Sequence, residues 1–189
     1  VMGGVYNARL RELNYEVLQD GTLDPVMLST SDGGRIYRRS LVLLMTTAIE
    51  ELWKGTAVSV SYAVPDGGFY CILPRRAPFS EEELRQLEAH MHKIVAEDSA
   101  ITKKIVPLEE AVALFEKRGD EDKVRLLEQR TRTVLTLYTL RNRSDYYYGY
   151  MVPSTGYLQT FRLVMTGDGF ILQYPRSGSP TELRDLQPQ

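Results

Sequence analysis

Three arginines with a spacing that could bind an anion stand in the first quarter of the chain. Arg35, Arg38 and Arg39 fall within the first two turns of a helix predicted over 31–53. The positive end of the helix macrodipole disfavours cations there. Either these side chains form an ordinary solvated basic face, or something anionic binds beside them.

Four tyrosines, Tyr146, Tyr147, Tyr148 and Tyr150, form a second candidate group. Their rings could provide a platform on which nucleic-acid bases stack. The alternative is that they alternate along a strand and pack on an antiparallel sheet. Lys103-Lys104 is too short to count as a basic patch.

Residues commonly used in metal binding and nucleophilic catalysis are scarce. His90 and His92 are the only histidines, and two positions apart on a helix they point to different faces and cannot chelate one metal. The single cysteine, Cys71, excludes an internal disulfide and is expected to be a small buried apolar residue. Neither GxxxxGK[ST] nor GxGxxG occurs, so both common phosphate-binding loops are absent. We therefore expect no metal and no cofactor.

The composition is that of an ordinary globular protein. The 189 residues are 43% hydrophobic and 25% charged, which suits one sizeable core or one domain with a small lobe. A net charge of −2 gives no global attraction to nucleic acid, so any such binding needs a local patch. No apolar run approaches the ~20 residues that span a bilayer, and no leader-like segment is visible. The expectation is a cytoplasmic protein without a membrane partner.

Apolar spacing and capping residues predict four helices. The first has Ser31 or Asp32 as its N-cap, and its apolar face contains Leu41, Leu44, Met45, Ala48, Ile49 and Leu52. A second helix follows Ser80, with three glutamates at its positive end. A third runs from about Pro107 to Gly119, and a short fourth one has Asp120 as its cap.

Alternating and β-branched stretches predict the strands. Residues 57–64 and FYCIL, joined by a Pro-Asp-Gly-Gly turn, give the strongest hairpin signal. Further strands are predicted over 101–106 and in TVLTLYTL, DYYYGYMVP, GYLQTFRLVMT and FILQY. Helices mixed with hairpins, without regular β-α-β alternation, favour an α+β fold in which helices flank an antiparallel sheet.

Several segments resemble a known family. They are AIEELW, DGGFYCIL, FSEEELRQLEAHMHKIVAED, KKIVPLEEAVALFEKRGDEDKV and FRLVMTGDG. Together they resemble the second additional (tRNA_SAD) domain of threonyl-tRNA synthetases, an editing domain shared with alanyl-tRNA synthetases and freestanding deacylases. The resemblance implies a partial β-grasp (TGS-like) lobe over 1–30, the editing-like domain over 31–174 and a linker over 175–189. IYRRSL and YPRSGSPTEL resemble a bacterial class in which these domains precede a uridine-kinase-like domain.

The family's chemistry rests on an HxxxH pair in the long helix and a CxxxH pair late in the chain. Aligning AIEELW puts Arg39 and Leu43 at the first pair, and aligning the later segments puts Tyr147 and Met151 at the second. Arginine is always protonated and leucine has no lone pair, so these side chains cannot replace zinc ligands or a polarising imidazole.

Two positions of the family pattern survive, Lys123 in GDEDKV and Asp145. The resemblance places the first turns of the long helix at a ligand cleft, with Lys123 opposite. The arginines and Lys123 are then expected to converge with Asp145 and to bind a phosphate-bearing ligand. The alternative is that Arg39 pairs with Asp145 and closes the site. The expected ligand-binding residues are Arg35, Arg38, Arg39, Lys123, Asp145 and Tyr147.

The resulting expectation is a non-catalytic, degenerate editing-like module of a nucleoside-kinase-related protein. It would bind RNA or a nucleotide-like ligand, or regulate the kinase half of the same chain. The alternative is an active aminoacyl-tRNA deacylase of a threonyl-tRNA synthetase-like protein, and a third possibility is a scaffold for homodimerisation.

Overall fold

A computed structural model describes residues 1–186 of the chain. Its helices are α1 (Ser31–Leu52), α2 (Glu81–Ala96), α3 (Leu108–Arg118) and α4 (Glu121–Glu128). Its strands are β1 (Gly3–Tyr6), β2 (Arg9–Arg11), β3 (Leu23–Val26), β4 (Ser59–Val64), β5 (Gly68–Ile72), β6 (Ile101–Pro107), β7 (Val134–Leu140), β8 (Arg143–Tyr146), β9 (Arg162–Thr166) and β10 (Gly169–Gln173). Every pairing between these strands is antiparallel, which confirms the predicted α+β class.

The antiparallel strands are divided among three sheets. Their orders are β2-β1-β3, β4-β5-β10-β9 and β6-β7-β8. The four-stranded sheet and the sheet of β6, β7 and β8 share one apolar core with α1, to which β10 contributes Phe170 and β7 contributes Leu140. Because α1 shares this core with residues of both sheets and of α2, its buried face is broad.

The N-cap of α1 lies one residue before the two predicted candidates. The N-cap is Thr30, not Ser31 or Asp32, and its hydroxyl accepts a hydrogen bond from the Gly33 N–H at 3.1 Å. Thr30 has the extended backbone that an N-cap requires (φ −82°, ψ 159°), whereas the next two residues are already helical. Leu52 is only partly buried, while the other predicted core positions are fully buried: Leu41, Leu44, Met45, Ala48 and Ile49.

The second helix matches its prediction closely. Ser80 and Glu83 form a reciprocal capping box, in which each side chain accepts from the other residue's backbone N–H. The buried stripe of α2 comprises Leu84, Leu87, Met91, Ile94 and Val95. Helix α3 ends at Gly119 in the left-handed conformation (φ 78°), as predicted. Asp120 precedes α4 but makes no side-chain cap bond; it accepts from Arg118 at 2.6 Å instead.

A smaller core joins α3 and α4 to the sheet of β6, β7 and β8. It contains Val106, Ala111, Phe115, Leu127, Leu135 and Leu137. The N-terminal sheet packs against α1, with Met2 and Ile36 in the main core. Pro25 lies inside β3, which is tolerated because β3 is an edge strand and needs fewer backbone donors.

The tyrosine-rich segment differs from the sequence-based expectation, and the C-terminal segment makes contacts with the four-stranded sheet. Strand β8 ends at Tyr146, so the following tyrosines lie in an irregular segment and not in a strand. The expected linker 175–189 folds back on the sheet as far as it is described: the Arg184 carbonyl accepts from Gln173 at 2.5 Å and from Arg162 at 3.2 Å. Residues 187–189 of that linker lie outside the described residues. None of the described helices is long and apolar enough to cross a membrane.

Candidate functional site

A cleft of about 540 Å³ opens between the start of α1, one face of β6 and β7, and the segment after β8. We call it the arginine cleft; its polar and aromatic lining includes Arg35, Arg39, Lys103, Arg130, Arg132, Tyr138 and the tyrosines of 146–150. Helix α1 places Arg35 and Arg39 there because a spacing of four residues keeps both on one face. Five cations and one carboxylate, Asp32, therefore line the same concave surface.

Two of these arginines were missed in the sequence. Arg130 and Arg132 precede β7 and continue its alternation, since Val134, Thr136 and Tyr138 line the cleft as well. Alternate residues of an extended segment point to one side. The spacing of two residues from Arg130 through Arg132 to the start of β7 could therefore have indicated that both arginines face the cleft. Lys103 belongs to a basic pair that is too short to predict a binding patch. It lies on the same wall of the cleft because it is paired with Tyr138 in the sheet.

Arg39 is the most constrained cation of the arginine cleft. The guanidinium is half-buried, and Nη1 donates to the Tyr150 carbonyl at 2.5 Å. It passes directly over Gly149, where an added Cβ would stand 2.5 Å from Nη2. Gly149 also has a φ of 121°, so both space and backbone favour glycine there. Burial lowers the pKa of Arg39, and the charges of Arg35 and Arg38 lower it further.

The cations of the cleft differ in how far they are neutralised. Arg35 pairs with Asp32 at 2.5 Å, and both side chains are about half exposed. Lys103 pairs with Glu12 of the N-terminal sheet segment. Within residues 1–186, Arg39, Arg130 and Arg132 form no salt bridge. Arg130 lies 4.7 Å from the centroid of the Tyr146 ring, an attractive contact that leaves its charge uncompensated.

A recess of about 300 Å³ adjoins the arginine cleft and shares Arg35, Arg39 and Tyr147 with it. Arg38 enters this recess and also lies 5.3 Å from the centroid of the Tyr174 ring. The rest of its wall is apolar: Val42, Val60 and Phe69. The three predicted arginines are thus brought together, at the boundary between the two cavities.

The tyrosines surround the cleft instead of alternating along a strand. Tyr148 is 82% exposed, so a ring face is open to a ligand. Tyr147 is half-buried and packs against the main core; burial raises its pKa, and the charge of Asp145 raises it further. The Tyr147 hydroxyl therefore stays neutral at pH 7.

Lys123 and Asp145 lie apart from the arginine cleft, in a separate charged cluster. Asp145 is 1% exposed and accepts from Lys123 at 2.5 Å, Arg143 at 3.2 Å and Arg118 at 3.3 Å. We call these four residues the Asp145 cluster. Neither expected arrangement is present: Arg39 contacts the Tyr150 carbonyl and does not pair with Asp145, and Lys123 does not line the cleft.

Electrostatics in the Asp145 cluster are dominated by burial and mutual pairing. Burial would raise the pKa of Asp145, but Lys123, Arg118 and Arg143 outweigh it and hold that pKa below its usual value. Burial lowers the pKa of Lys123, and the attraction of Asp145 opposes this. The carboxylate therefore compensates several cations at once and is itself fully hydrogen-bonded, as a buried charge requires.

The remaining positions of the family's catalytic pattern are packed inside the protein. Leu43 and Met151 are 0% and 1% exposed, and Ser40 donates to the Met151 sulfur at 3.4 Å. Among the described residues, no group of three or more histidine, cysteine, aspartate or glutamate side chains is arranged to hold a metal ion.

The histidines and the cysteine are also engaged in contacts within the fold. His90 contacts Glu51 at 2.7 Å, and His92 stacks on Phe161 with ring centroids 4.3 Å apart, so the two histidines do face different ways. Cys71 is fully buried, and burial raises its pKa to about 12. A thiol with such a pKa is almost entirely protonated at pH 7 and is a poor nucleophile.

Comparison with known proteins places the chain beside one class of enzyme. It is 32% identical to the threonine--tRNA ligase of Carboxydothermus hydrogenoformans over 84% of this chain and 25% of the ligase. Identity to the Methylococcus capsulatus ligase is 30% over 86% of this chain and 26% of that protein. The Listeria welshimeri ligase is 32% identical over 89% of this chain and 26% of its own length.

No family model matches the chain. The chain spans about a quarter of the length of the curated relatives that it matches. Their similarity and the α+β fold together support an editing-like domain. The chain is thus homologous to a region of threonine--tRNA ligases.

Proposed function

We propose that this chain is a non-catalytic editing-like module that binds a phosphate-bearing ligand, a nucleotide or an RNA end, in the arginine cleft. One observation carries the proposal: Arg39, Arg130 and Arg132 line a cleft of about 540 Å³ and have no carboxylate partner among residues 1–186. Clustered like charges cost free energy in the absence of a counter-charge. An anionic ligand would offset that cost.

The chemistry of the lining matches a phosphate attached to a planar group. Guanidinium groups bind phosphate oxygens through paired charge-assisted hydrogen bonds. The exposed ring of Tyr148 and the partly buried ring of Tyr150 offer faces on which a base can stack. Cations and aromatic side chains both line the cleft, so a ligand with a phosphate and a planar base can contact both kinds of group.

The identities at the four family positions support a non-catalytic role. Leu43 and Met151 are buried in the apolar core, Arg39 donates to a backbone carbonyl, and Tyr147 has a raised pKa. None of these side chains offers a lone pair that activates water at pH 7. Lys123 and Asp145 are engaged with each other, so they do not provide a free acid–base pair.

The architecture of the parent protein is also a proposal. We propose that residues 1–30 and 31–174 form the lobe and the editing-like domain, and that 175–189 lead to a nucleoside-kinase-like domain regulated by this module. The support is the resemblance of IYRRSL and YPRSGSPTEL to that protein class. Reading the gene beyond Gln189 tests it: a GxxxxGK[ST] motif in the encoded chain supports the kinase, and its absence contradicts it.

The ligand proposal is tested by titrating ADP and a short RNA with a 5′-phosphate against the wild type, Arg39→Ala and Arg132→Ala. We expect each variant to bind at least about tenfold more weakly, since hydrogen bonds to charged groups contribute about 1.5–3 kcal/mol. Arg132→Ala is included because Arg39 also holds the Tyr150 carbonyl. Arg85→Ala is the matched control, because Arg85 is exposed on α2 and pairs only with nearby glutamates.

The titration contradicts the proposal if the wild type binds neither probe at about millimolar concentration, or if both cleft variants bind as well as the control. The non-catalytic part has its own assay, hydrolysis of mischarged tRNA of the threonine type. We expect no rate above that of buffer, since positioned acid–base groups supply about 10²–10⁴-fold. A rate that depends on Lys123 would instead support an active deacylase.

A further inference from the structure

A buried carboxylate from the N-terminal lobe reaches the wall of the arginine cleft. Glu12 directly follows β2 and is 7% exposed. Its carboxylate accepts a hydrogen bond from the Tyr138 hydroxyl at 3.1 Å and another from the Lys103 ammonium. Lys103 and Tyr138 both line the arginine cleft, whereas Glu12 stands behind them and does not. The lobe therefore supplies the cleft wall with a negative charge from behind.

Lys103 is accessible from the cleft as well as from the lobe. Its side chain is 46% exposed, and the ammonium lies 5.8 Å from the centroid of the Tyr150 ring. Burial lowers the pKa of Lys103, and the nearby charge of Arg11 lowers it further. The ammonium is thus held between one internal carboxylate and the open side of the cleft.

We propose that Glu12 is an internal competitor of the cleft's ligand, so that a bound phosphate takes its place at Lys103 and weakens the contact between the lobe and the cleft. This inference rests on the proposed function, because it needs a phosphate-bearing ligand in the arginine cleft. The contact and the ligand then oppose each other reciprocally, as linked equilibria must. The lobe acts as an autoinhibitory element that sets the affinity of the cleft.

The rest of the lobe does not depend on this contact. Met2 belongs to the main core together with Ile36 of α1. Losing the Glu12–Lys103 pair therefore leaves the N-terminal sheet attached. A variant at Glu12 can report on the cleft without unfolding the lobe.

The test compares the affinities of the wild type, Glu12→Gln, Lys103→Met and the double variant for ADP and for a short RNA with a 5′-phosphate. Glutamine keeps an oxygen that accepts from Tyr138 but removes the charge. We expect Glu12→Gln to bind about fivefold more tightly or better, with a steeper loss of affinity as salt rises. Lys103→Met should bind more weakly than wild type, and the double variant should match Lys103→Met.

Glu110→Gln is the matched control. Glu110 pairs with Lys104, so this substitution also removes one carboxylate charge from a lysine pair. Lys104 is next to Lys103 in the chain but does not line the cleft. Tighter binding by Glu12→Gln alone supports the inference. If the wild type binds and Glu12→Gln binds equally or less tightly, this inference is wrong while the proposed function stands. If neither protein binds either probe, both are wrong.

Discussion

Two regions of this molecule gather cations, and they differ in what neutralises them. In the Asp145 cluster, one buried carboxylate accepts from Lys123, Arg118 and Arg143. In the arginine cleft, five cations line a surface that contains one carboxylate, Asp32. Lys103 also pairs with Glu12, which does not line the cleft. Compensated charges hold elements of the fold together, whereas uncompensated charges on a concave surface are available to a ligand.

The contrast assigns opposite roles to residues that the sequence had grouped together. Lys123 and Asp145 were expected to join Arg35, Arg38 and Arg39 around one ligand. The structure pairs the first two with each other and leaves the arginines at the cleft. This distinction would be wrong if the Asp145 cluster were dispensable for stability, or if the charges of the arginine cleft were required for it.

The largest effect is expected at Asp145. Asp145→Asn leaves Lys123, Arg118 and Arg143 facing each other around an uncharged amide, and should lower the free energy of unfolding by about 3–5 kcal/mol. Denaturant unfolding measures this. Asp32→Asn in the arginine cleft is the control, because its pair with Arg35 is exposed and should contribute about 1 kcal/mol or less. Similar losses for the two variants would remove the distinction between the regions.

The body of α1 should be the next most sensitive element. Leu44→Ala should lower the free energy of unfolding by about 2–5 kcal/mol, because Leu44 is fully buried in the main core. Leu52→Ala should cost clearly less, since Leu52 is only partly buried. Arg132→Ala, at an exposed position of the cleft, should stay within about 0.5 kcal/mol of wild type. Thermal or denaturant unfolding compares the three variants, and a large loss for Arg132→Ala would mean that the cleft is structural.

The sequence predicted the features of this fold that are set by residues close together in the chain, and it did not predict those that depend on distant strands pairing. The N-cap at Ser80 and the turn before β5 are specified by a few neighbouring residues, and both were predicted correctly. The separation of the strands into three sheets was not predictable, because it depends on β5 pairing with β10 across the chain. The N-cap was misplaced by one residue because Thr30, Ser31 and Asp32 are all good capping residues.

The candidate site was predicted only in part, because some of its residues are close in the sequence and others are brought together by strand pairing. Arg35, Arg38 and Arg39 are close in sequence, so their clustering followed from helical spacing alone. Arg130 and Arg132 reach the cleft only because β7 is extended next to β6. The choice between Arg39 and Lys123 as the partner of Asp145 is set by how β8 lies against α1 and α4, and no residue pattern encodes that choice.

A smaller effect should appear in the pH dependence of stability. The folded-state pKa of Asp145 lies below its usual value, which is about 3.9 in the unfolded chain. Its contribution is therefore fully present above about pH 4 and is lost as the pH falls through the folded pKa. The gap in unfolding free energy between wild type and Asp145→Asn should narrow on acidification from pH 7 to about pH 3. A constant gap would mean that the carboxylate is not stabilised by its neighbours.

The most direct test of the contrast between the two regions is to map a ligand onto the chain. A nuclear magnetic resonance titration of isotope-labelled protein with a short RNA carrying a 5′-phosphate reports on each backbone amide. The account predicts saturable shifts at Arg39, Gly149 and Tyr150, and unchanged amides at Lys123 and Asp145. Saturable shifts centred on Lys123 and Asp145, with the cleft unaffected, would contradict it.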